Sequence, residues 1–369
     1  MSTDPTPAGD QEQVRQDFYR ELETQNMGPL WVLFRNTMTA EPRQREVPHL
    51  WSWETVRPRL LRAGELVTTE EAERRVLMFL NPGDERKIGA TATLYAAMQL
   101  ILPGESARAH RHTPTALRFI VEGSGAFTCV DGEKVRMEPG DLVLTPPMVW
   151  HDHGSESEQP VIWLDGLDIP LMVALNCMFF EGYEGDAQPV TLPPAHSEKL
   201  FGRALMPRGS EHLASSRFSP LWNYRGTESR EALKSLSQSE DPDPFDGFLV
   251  RYTNPANGGE VLNSIGCRIQ LLPKGLHTKA HRHTTSAVYH VAEGSGFSII
   301  DGRRFNWTRG DTFAVPIWSM HEHAAGTGDA VLFSLTDDPL IQALGHQRTE
   351  VLTDNGGFQK EDFKLDPTS

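Results

Sequence analysis

Cysteine is scarce in this chain. Cys129, Cys177 and Cys267 are the only three in 369 residues, and no two share C-x-x-C spacing. That excludes a disulfide framework and a cysteine zinc site, and leaves three small hydrophobes suited to a reducing compartment. Positive charge is also short: 35 Lys and Arg stand against 50 Asp and Glu, a formal net charge of −15. Such a surface repels phosphate backbones and anionic lipid, so neither nucleic acid nor membrane is an expected partner. No apolar run approaches the ~18 residues of a membrane span. The opening MSTDPTPAGDQEQVRQ lacks the apolar stretch of a signal peptide. These absences predict a cytoplasmic protein, long enough for two domains.

What is present changes character along the chain. Residues 1–10 are polar and expected to be disordered. Val14, Phe18 and Leu22 then recur at helical spacing, Gly28-Pro29 interrupts, and the apolar LWVLF follows. WETVRPRLLRAG predicts a further helix ending at Gly64. Helices with one apolar face need a neighbour, either their own domain or another subunit. From Thr91 to Asp168 the pattern becomes short strands and turns. Asp131-Gly132 suits a type I′ hairpin, and the turn EPGD at 138–141 precedes the apolar LVLTPP. Strands at this spacing predict a sandwich or small barrel. Residues 188–246 read as an irregular connection with a helix around SREALKSL. Strand grammar then returns to about Ser334, and PLIQALG predicts a last short helix before a polar tail.

The two strand-rich regions repeat each other. HRHTPTALRFIVEGSG begins at His110, and HRHTTSAVYHVAEGSG at His281, an offset of 171. Asp131-Gly132, Gly140-Asp141 and His151-x-His153 recur at an offset of 170. One single-residue slip over this span marks an internal duplication. Side chains alternate along a strand, so His110 and His112 share a face, as do His151 and His153. A lone H-x-H pair is more often a surface or hydrogen-bonded feature than a ligand set. Two pairs per repeat, in both repeats, favour imidazoles converging on a metal, although spacing alone does not choose between His151 and His153.

The motifs G-x5-H-x-H-x3-(E)-x6-G and G-x5-P-x-(G)-x2-H fit at Gly104, His110, His112, Gly123, Gly140, Pro146 and His151. They fit again at Gly275, His281, His283, Gly294, Gly310, Pro316 and His321. The chain resembles a bicupin. This implies an all-β core of two tandem double-stranded β-helix (jelly-roll) barrels with an N-terminal helical extension. The expected divisions are a helical arm and lead-in at 1–90, a catalytic barrel at 91–187, a linker at 188–245, a second barrel at 246–345 and a tail at 346–369. By the family pattern the metal ligands are His110, His112 and His151, with His281, His283 and His321 as a candidate second set. The glutamate many cupins carry as a fourth ligand is Ala116 here, and Ala287 in the second copy. Three neutral imidazoles leave a divalent charge uncompensated and positions open, which suits an anionic bidentate ligand plus one small molecule. The ligand type alone leaves Fe, Zn, Cu and Ni open.

FLNPGDERKIGATATLYAAMQLILPGESARAHRHTPTALRFIVEGSGAF and WHDHGSESEQPVIWLDGLDIPL narrow the resemblance. Over most of residues 28–345 the chain is similar to the gentisate 1,2-dioxygenase family, which includes salicylate and 1-hydroxy-2-naphthoate ring-cleaving enzymes. The resemblance implies a homotetramer that uses Fe(II) and O2 to open a small aromatic acid between its carboxyl- and hydroxyl-bearing carbons, giving maleylpyruvate from gentisate. Arg118, six residues after His112, falls on the histidine face and is expected to hold the substrate carboxylate; the alternative is a structural salt bridge. Arg74 and Gln99 match pocket positions of the family, with Arg75 as the rival inward arginine. Tyr95 and Ala97 share the face of Gln99. His153 is expected to hydrogen-bond or relay protons beside the substrate, and Asp165 to polarise the ring's distant hydroxyl, with Asp168 a turn residue. In the second copy Arg118 aligns with Tyr289, and Asp165 with Leu335 at an offset of 170. Ring cleavage is therefore expected only in the first barrel. The rival readings are a sister salicylate or hydroxynaphthoate dioxygenase and a metal-binding bicupin without oxygen chemistry.

Overall fold

A computed structural model describes residues 8–203 and 206–361. The chain divides into two units, Met1–Arg43 and Gln44–Ser369. In the first unit the helix expected from Gln11 begins at Ala8 and runs to Thr24, so Ala8–Asp10 are helical; the rest of the stretch expected to be disordered, residues 1–7, lies outside the described residues. LWVLF opens a second helix, Leu30–Thr37.

The second unit holds both barrels. In the first, a six-stranded antiparallel sheet runs Asn223–Tyr224, Leu142–Thr145, Ala116–Glu122, Val161–Leu167, Tyr95–Ile101 and Arg75–Met78. It faces a five-stranded sheet of Phe180–Gly182, Ser106–His112, His151–Ser155, Ala126–Val130 and Glu133–Met137. The second barrel repeats this with His49–Trp51, Thr312–Val315, Ala287–Glu293, Ala330–Thr336, Gly266–Leu272 and Phe248–Arg251, facing Arg303–Thr308, Ser295–Ile300, His321–Ala325, His281–His283 and Thr349–Val351. The hairpins at Asp131-Gly132 and Asp301-Gly302 carry positive φ at both central residues, as a type I′ turn requires.

Several elements depart from the sequence expectation. The lead-in is not purely helical: Arg75–Met78 pairs with the first barrel at Val76↔Gln99, and His49–Trp51 pairs with the second at Leu50↔Phe313. The helix expected to stop at Gly64 covers Trp53–Leu66, because the glycine sits against Leu100 and Leu102 instead of ending the turn. The connection supplies an edge strand to the first barrel, Asn223–Tyr224, and its helix extends over Gly226–Ser239.

The four central strands of each six-stranded sheet are largely buried on both faces. Tyr95–Ile101 is buried at every residue. One face, with Ala96, Met98, Leu117, Phe119 and Leu164, joins a single apolar cluster with Cys267, Ile269, Val288, Phe333 and Leu335 of the second barrel. Phe119 and Phe333 stack there with centroids 4.2 Å apart. A Cβ on Gly166 would lie 2.8 Å from Leu335 Cδ1, so glycine permits the approach. The other face looks into the barrel. Asp168 is more than the expected turn residue: it is buried, accepts from the Thr115 amide at 2.9 Å, and accepts from Ser264 Oγ of the second half at 2.5 Å. Asp337 mirrors it, accepting from the Ser286 amide at 2.7 Å and from Thr93 Oγ1 of the first half at 2.6 Å. The two carboxylates pin the halves together reciprocally.

Removing the stack at its centre leaves a void that neither sheet can close. Phe333→Ala is expected to destabilise the protein by about 3–5 kcal/mol. Calorimetry of the variant against the parent would read this, and a change below 1 kcal/mol would mean the barrels do not depend on that contact.

Candidate active site

The strand ladder brings the first triad together. His110 and His151 stand directly opposite each other on neighbouring strands, and His112 lies two residues on, on the same face. Ring centroids are 4.1 Å apart for His110 and His151, 4.9 Å for His112 and His151, and 5.3 Å for His110 and His112. One nitrogen from each falls within 4.8 Å of the others. His112 Nδ1 lies 2.8 Å from the Pro114 carbonyl and His151 Nδ1 2.9 Å from that of Val149, which fixes the proton on Nδ1 and leaves Nε2 as a lone pair. His151 Nε2 is buried without a hydrogen-bond partner. A buried, aprotic nitrogen aimed among two other imidazoles fits a divalent metal. Burial holds the rings neutral, as ligation requires: His112 is pushed down to about 4 and His110, also beside Arg74, to about 2.

A cavity of about 300 Å³ opens over the triad, lined by Arg74, Tyr95, Gln99, Ala116, Arg118, His153, Asp165 and an apolar wall that includes Val76, Met178 and Phe180. Ala116 leaves open the space a ligating glutamate would fill. Arg118 is 4 % exposed. It donates to Thr145 Oγ1 at 2.7 Å and to His153 Nε2 at 3.0 Å, while its Nε faces Asp165 Oδ1 at 3.7 Å. The sheet register places Arg118 opposite Asp165, so the arginine both lines the cavity and makes the salt bridge posed as its alternative role. Desolvation lowers Arg118 to about 10 and raises Asp165 to about 6, leaving both charged at neutral pH. His153 accepts from Arg118 through Nε2, which puts its proton on Nδ1 and makes it a partner of the arginine, outside the triad.

Arg74 reaches the cavity by a strained route. Glu73 has φ +52°, ending the helix Thr69–Ala72 and turning Arg74 so that its guanidinium meets His110 Nδ1. Arg75 is buried elsewhere, paired through both terminal nitrogens with Glu105 at 2.5 and 2.6 Å. Tyr95 and Gln99 line the cavity; Ala97 between them shares their face but is wholly buried and too short to reach it. Phe180, which sequence reasoning did not single out, stacks on His110 with centroids 5.2 Å apart. Its only signal is the apolar run CMFF ahead of an edge strand.

The cupin-domain model matches residues 97–168 and 268–336. The chain is 43% identical over 348 residues to gentisate 1,2 dioxygenase 1 of Aquipseudomonas alcaligenes, covering 94% of this chain and 99% of that protein. The chain belongs to the gentisate 1,2-dioxygenase family. It is 37% identical over 354 residues to 5-aminosalicylate 1,2-dioxygenase of Comamonas sp, covering 95% and 94% of the two chains. The crystal structure of salicylate 1,2-dioxygenase from Pseudoaminobacter salicylatoxidans with gentisate superposes at a TM-score of 0.87, with 32% identity over 96% of each chain. The protein is thus a ring-cleaving dioxygenase built as a bicupin.

The second barrel of this dioxygenase repeats the triad. His281 pairs with His321, His283 follows on the same face, and their nitrogens also lie within 4.8 Å of one another. Its surroundings differ. Tyr289 stands where Arg118 stands in the first barrel. The register puts Ser334 opposite Tyr289, just as Asp165 is opposite Arg118. Ser334, not the expected Leu335, is therefore the counterpart of Asp165; a further one-residue slip separates the repeats here.

The depressed imidazoles give stability a pH dependence. Free histidine titrates near 6.5, so between that value and about 4 for His112 the unfolded chain binds protons the folded one refuses. Stability present above pH 6.5 is lost as the pH falls through this window. The melting temperature of metal-free protein should drop between roughly pH 6.5 and 4, and a flat profile would show that the rings are not held neutral.

Proposed function

We propose that the first cavity binds gentisate and, with O2, opens its ring between the carboxyl- and hydroxyl-bearing carbons to give maleylpyruvate. The observation that carries this reading is a pair of arginines, Arg74 and Arg118, set beside a three-histidine triad in an otherwise largely apolar cavity. Two cations against one aspartate attract a carboxylate, and the apolar wall suits a ring. Fe(II) is the metal we assign to His110, His112 and His151; when bound, it supplies the open-shell centre through which triplet dioxygen reacts with a closed-shell ring.

The chain's own groups do the rest. Arg118, rigidly held by Thr145 and His153, orients the substrate carboxylate by a charge-assisted contact, with Arg74 as the second cation. Gln99 and Tyr95 offer hydrogen bonds on the adjoining wall, and Phe180 packs on the ring face. Among the described residues Asp165 is the sole carboxyl lining the cavity, and with its pKa raised to about 6 it exchanges a proton near neutrality. His153, its proton on Nδ1, holds Arg118 in place and stands beside the reacting groups. We further read the protein as a cytoplasmic homotetramer. This rests on the resemblance and on the apolar Leu30, Trp31, Val32, Leu33 and Phe34, each about half exposed or more. Among the described residues no helix is long and apolar enough to cross a membrane.

Oxygen uptake by the Fe(II)-loaded protein on gentisate, salicylate and 1-hydroxy-2-naphthoate tests the reading; faster turnover of either rival acid would transfer the assignment to it, and no uptake on any would refute ring cleavage. Arg118→Gln should raise KM for gentisate by tenfold or more, since a hydrogen bond to a charged group is worth about 1.5–3 kcal/mol. Activity that needs the Asp165 carboxylate falls as the pH drops through about 6. Asp165→Asn should lack that limb in a kcat/KM profile, whereas a limb set by the triad would persist.

A further inference from the structure

The two cavities share a ligand set but carry opposite charge. The second, about 420 Å³, is lined by Asp243, Asp246 and Asp338 and, as the lone Lys or Arg among the described residues, by Arg268. Register pairing shows how the inversion arose. Val76 and Leu249 face Gln99 and Gln270 equivalently, which puts Gly247 in the place of Arg74. Tyr289 replaces Arg118, and Ser334 replaces Asp165. Thr349 pairs with His283 as Phe180 pairs with His112, so the ring stacked on the first triad has no counterpart at that position; Phe245 instead meets His281 edge-on, with centroids 5.4 Å apart. Arg268 offers no free positive charge. It meets both oxygens of Glu260 at 2.8 and 2.9 Å and Asp338 at 3.1 Å.

The triad itself remains fit for a metal. His283 Nδ1 lies 2.8 Å from the Thr285 carbonyl and His321 Nδ1 3.0 Å from that of Ser319, leaving both Nε2 atoms free of protons. His323, fully buried beside them, has its Nε2 without a hydrogen-bond partner. A divalent ion on three neutral imidazoles needs negative charge nearby. In the first cavity two arginines oppose it and the bound acid must supply that charge. In the second cavity the protein's own aspartates do so.

We propose that the second barrel holds a divalent metal ion, charge-balanced by Asp243, Asp246 and Asp338, at a site that excludes aromatic carboxylates. The ion there takes no part in ring cleavage. An incoming carboxylate would meet three like charges and, among the described residues lining the cavity, no arginine without a carboxylate partner.

Cobalt(II) is a direct probe, because its visible bands report ligand changes without turnover. Metal-free wild-type protein titrated with Co(II) under argon should take up two equivalents per chain. Gentisate added afterwards should shift the bands of one and leave the other unmoved, saturating at one gentisate per chain. The His281→Ala/His283→Ala variant should lose one equivalent, namely the unresponsive one, and its Fe(II) form should keep its turnover. The His110→Ala/His112→Ala variant should keep one cobalt that gentisate does not perturb. One equivalent in the wild type, or two gentisates per chain, overturns the proposal, and neither reading depends on how the variants fold. Two cobalt ions with neither responding to gentisate would instead overturn the aromatic-acid reading of the first cavity while leaving this one standing.

Discussion

The structure depends on two β-sheets whose central strands have no solvent face. Each six-stranded sheet turns one side into its own barrel and the other against its counterpart, with Phe119 stacked on Phe333 at the centre. Period-two alternation then assigns every residue a duty. In 116–120 the odd neighbours Leu117 and Phe119 bind the halves together, while Arg118 between them points at the metal triad. In Val161–Leu167, Leu164 joins the interface and Asp165 the cavity. The side chains over the triad are thus carried on strands that close packing holds in place on both sides. A loop-borne site would lack that rigidity.

That rigidity has an electrostatic cost, visible in how the charges are arranged. Arg118 is buried, which is expensive for a cation unless its donors are engaged. Thr145, His153 and Asp165 engage them incompletely, since Nε reaches Asp165 only at 3.7 Å and makes no hydrogen bond. Desolvation correspondingly drives Arg118 down and Asp165 up. In the proposed function a substrate carboxylate supplies the anion that Arg118 and Arg74 lack, and the deficit built into the folded protein would then select for acids.

The sequence made some of this legible and hid the rest for physical reasons. The convergence of the histidines could be read because H-x-H on a strand fixes a shared face and because the motif is written twice, while the choice of His151 over His153 came from the resemblance. The type I′ hairpins could be read because Asp-Gly supplies positive φ at both positions. Arg74 was reachable only through resemblance: it enters the cavity off a left-handed residue, Glu73, that no periodicity anticipates. Alternation placed Ala97 on the correct face but could not show that a methyl group stops short of the cavity. The strands His49–Trp51 and Asn223–Tyr224 are three and two residues long. Such strands exist only because a sheet edge is there to pair with, and that edge is distant in the chain. Aligning Asp165 with Leu335 failed by one residue, which on a strand means the opposite face; only the pairing partners reveal that Ser334 is the counterpart.

Duplication explains why the barrels match, and the buried network around Arg118 explains why a single substitution would not rebuild the first cavity in the second barrel. In the second barrel the counterpart of Thr145 is Val315, paired with Ala287 as Thr145 is with Ala116. The counterpart of Asp165 is Ser334, and His323 turns to Ser298 at 2.7 Å, which also receives Trp307 Nε1. Tyr289 fills the remaining space by stacking on Phe313 at 5.1 Å. An arginine placed at 289 would find one of its three partners missing a hydroxyl and another missing a charge. A buried cation so stranded costs several kcal/mol. The two cavities are therefore separate electrostatic solutions on one scaffold, and each is held by several mutually dependent residues.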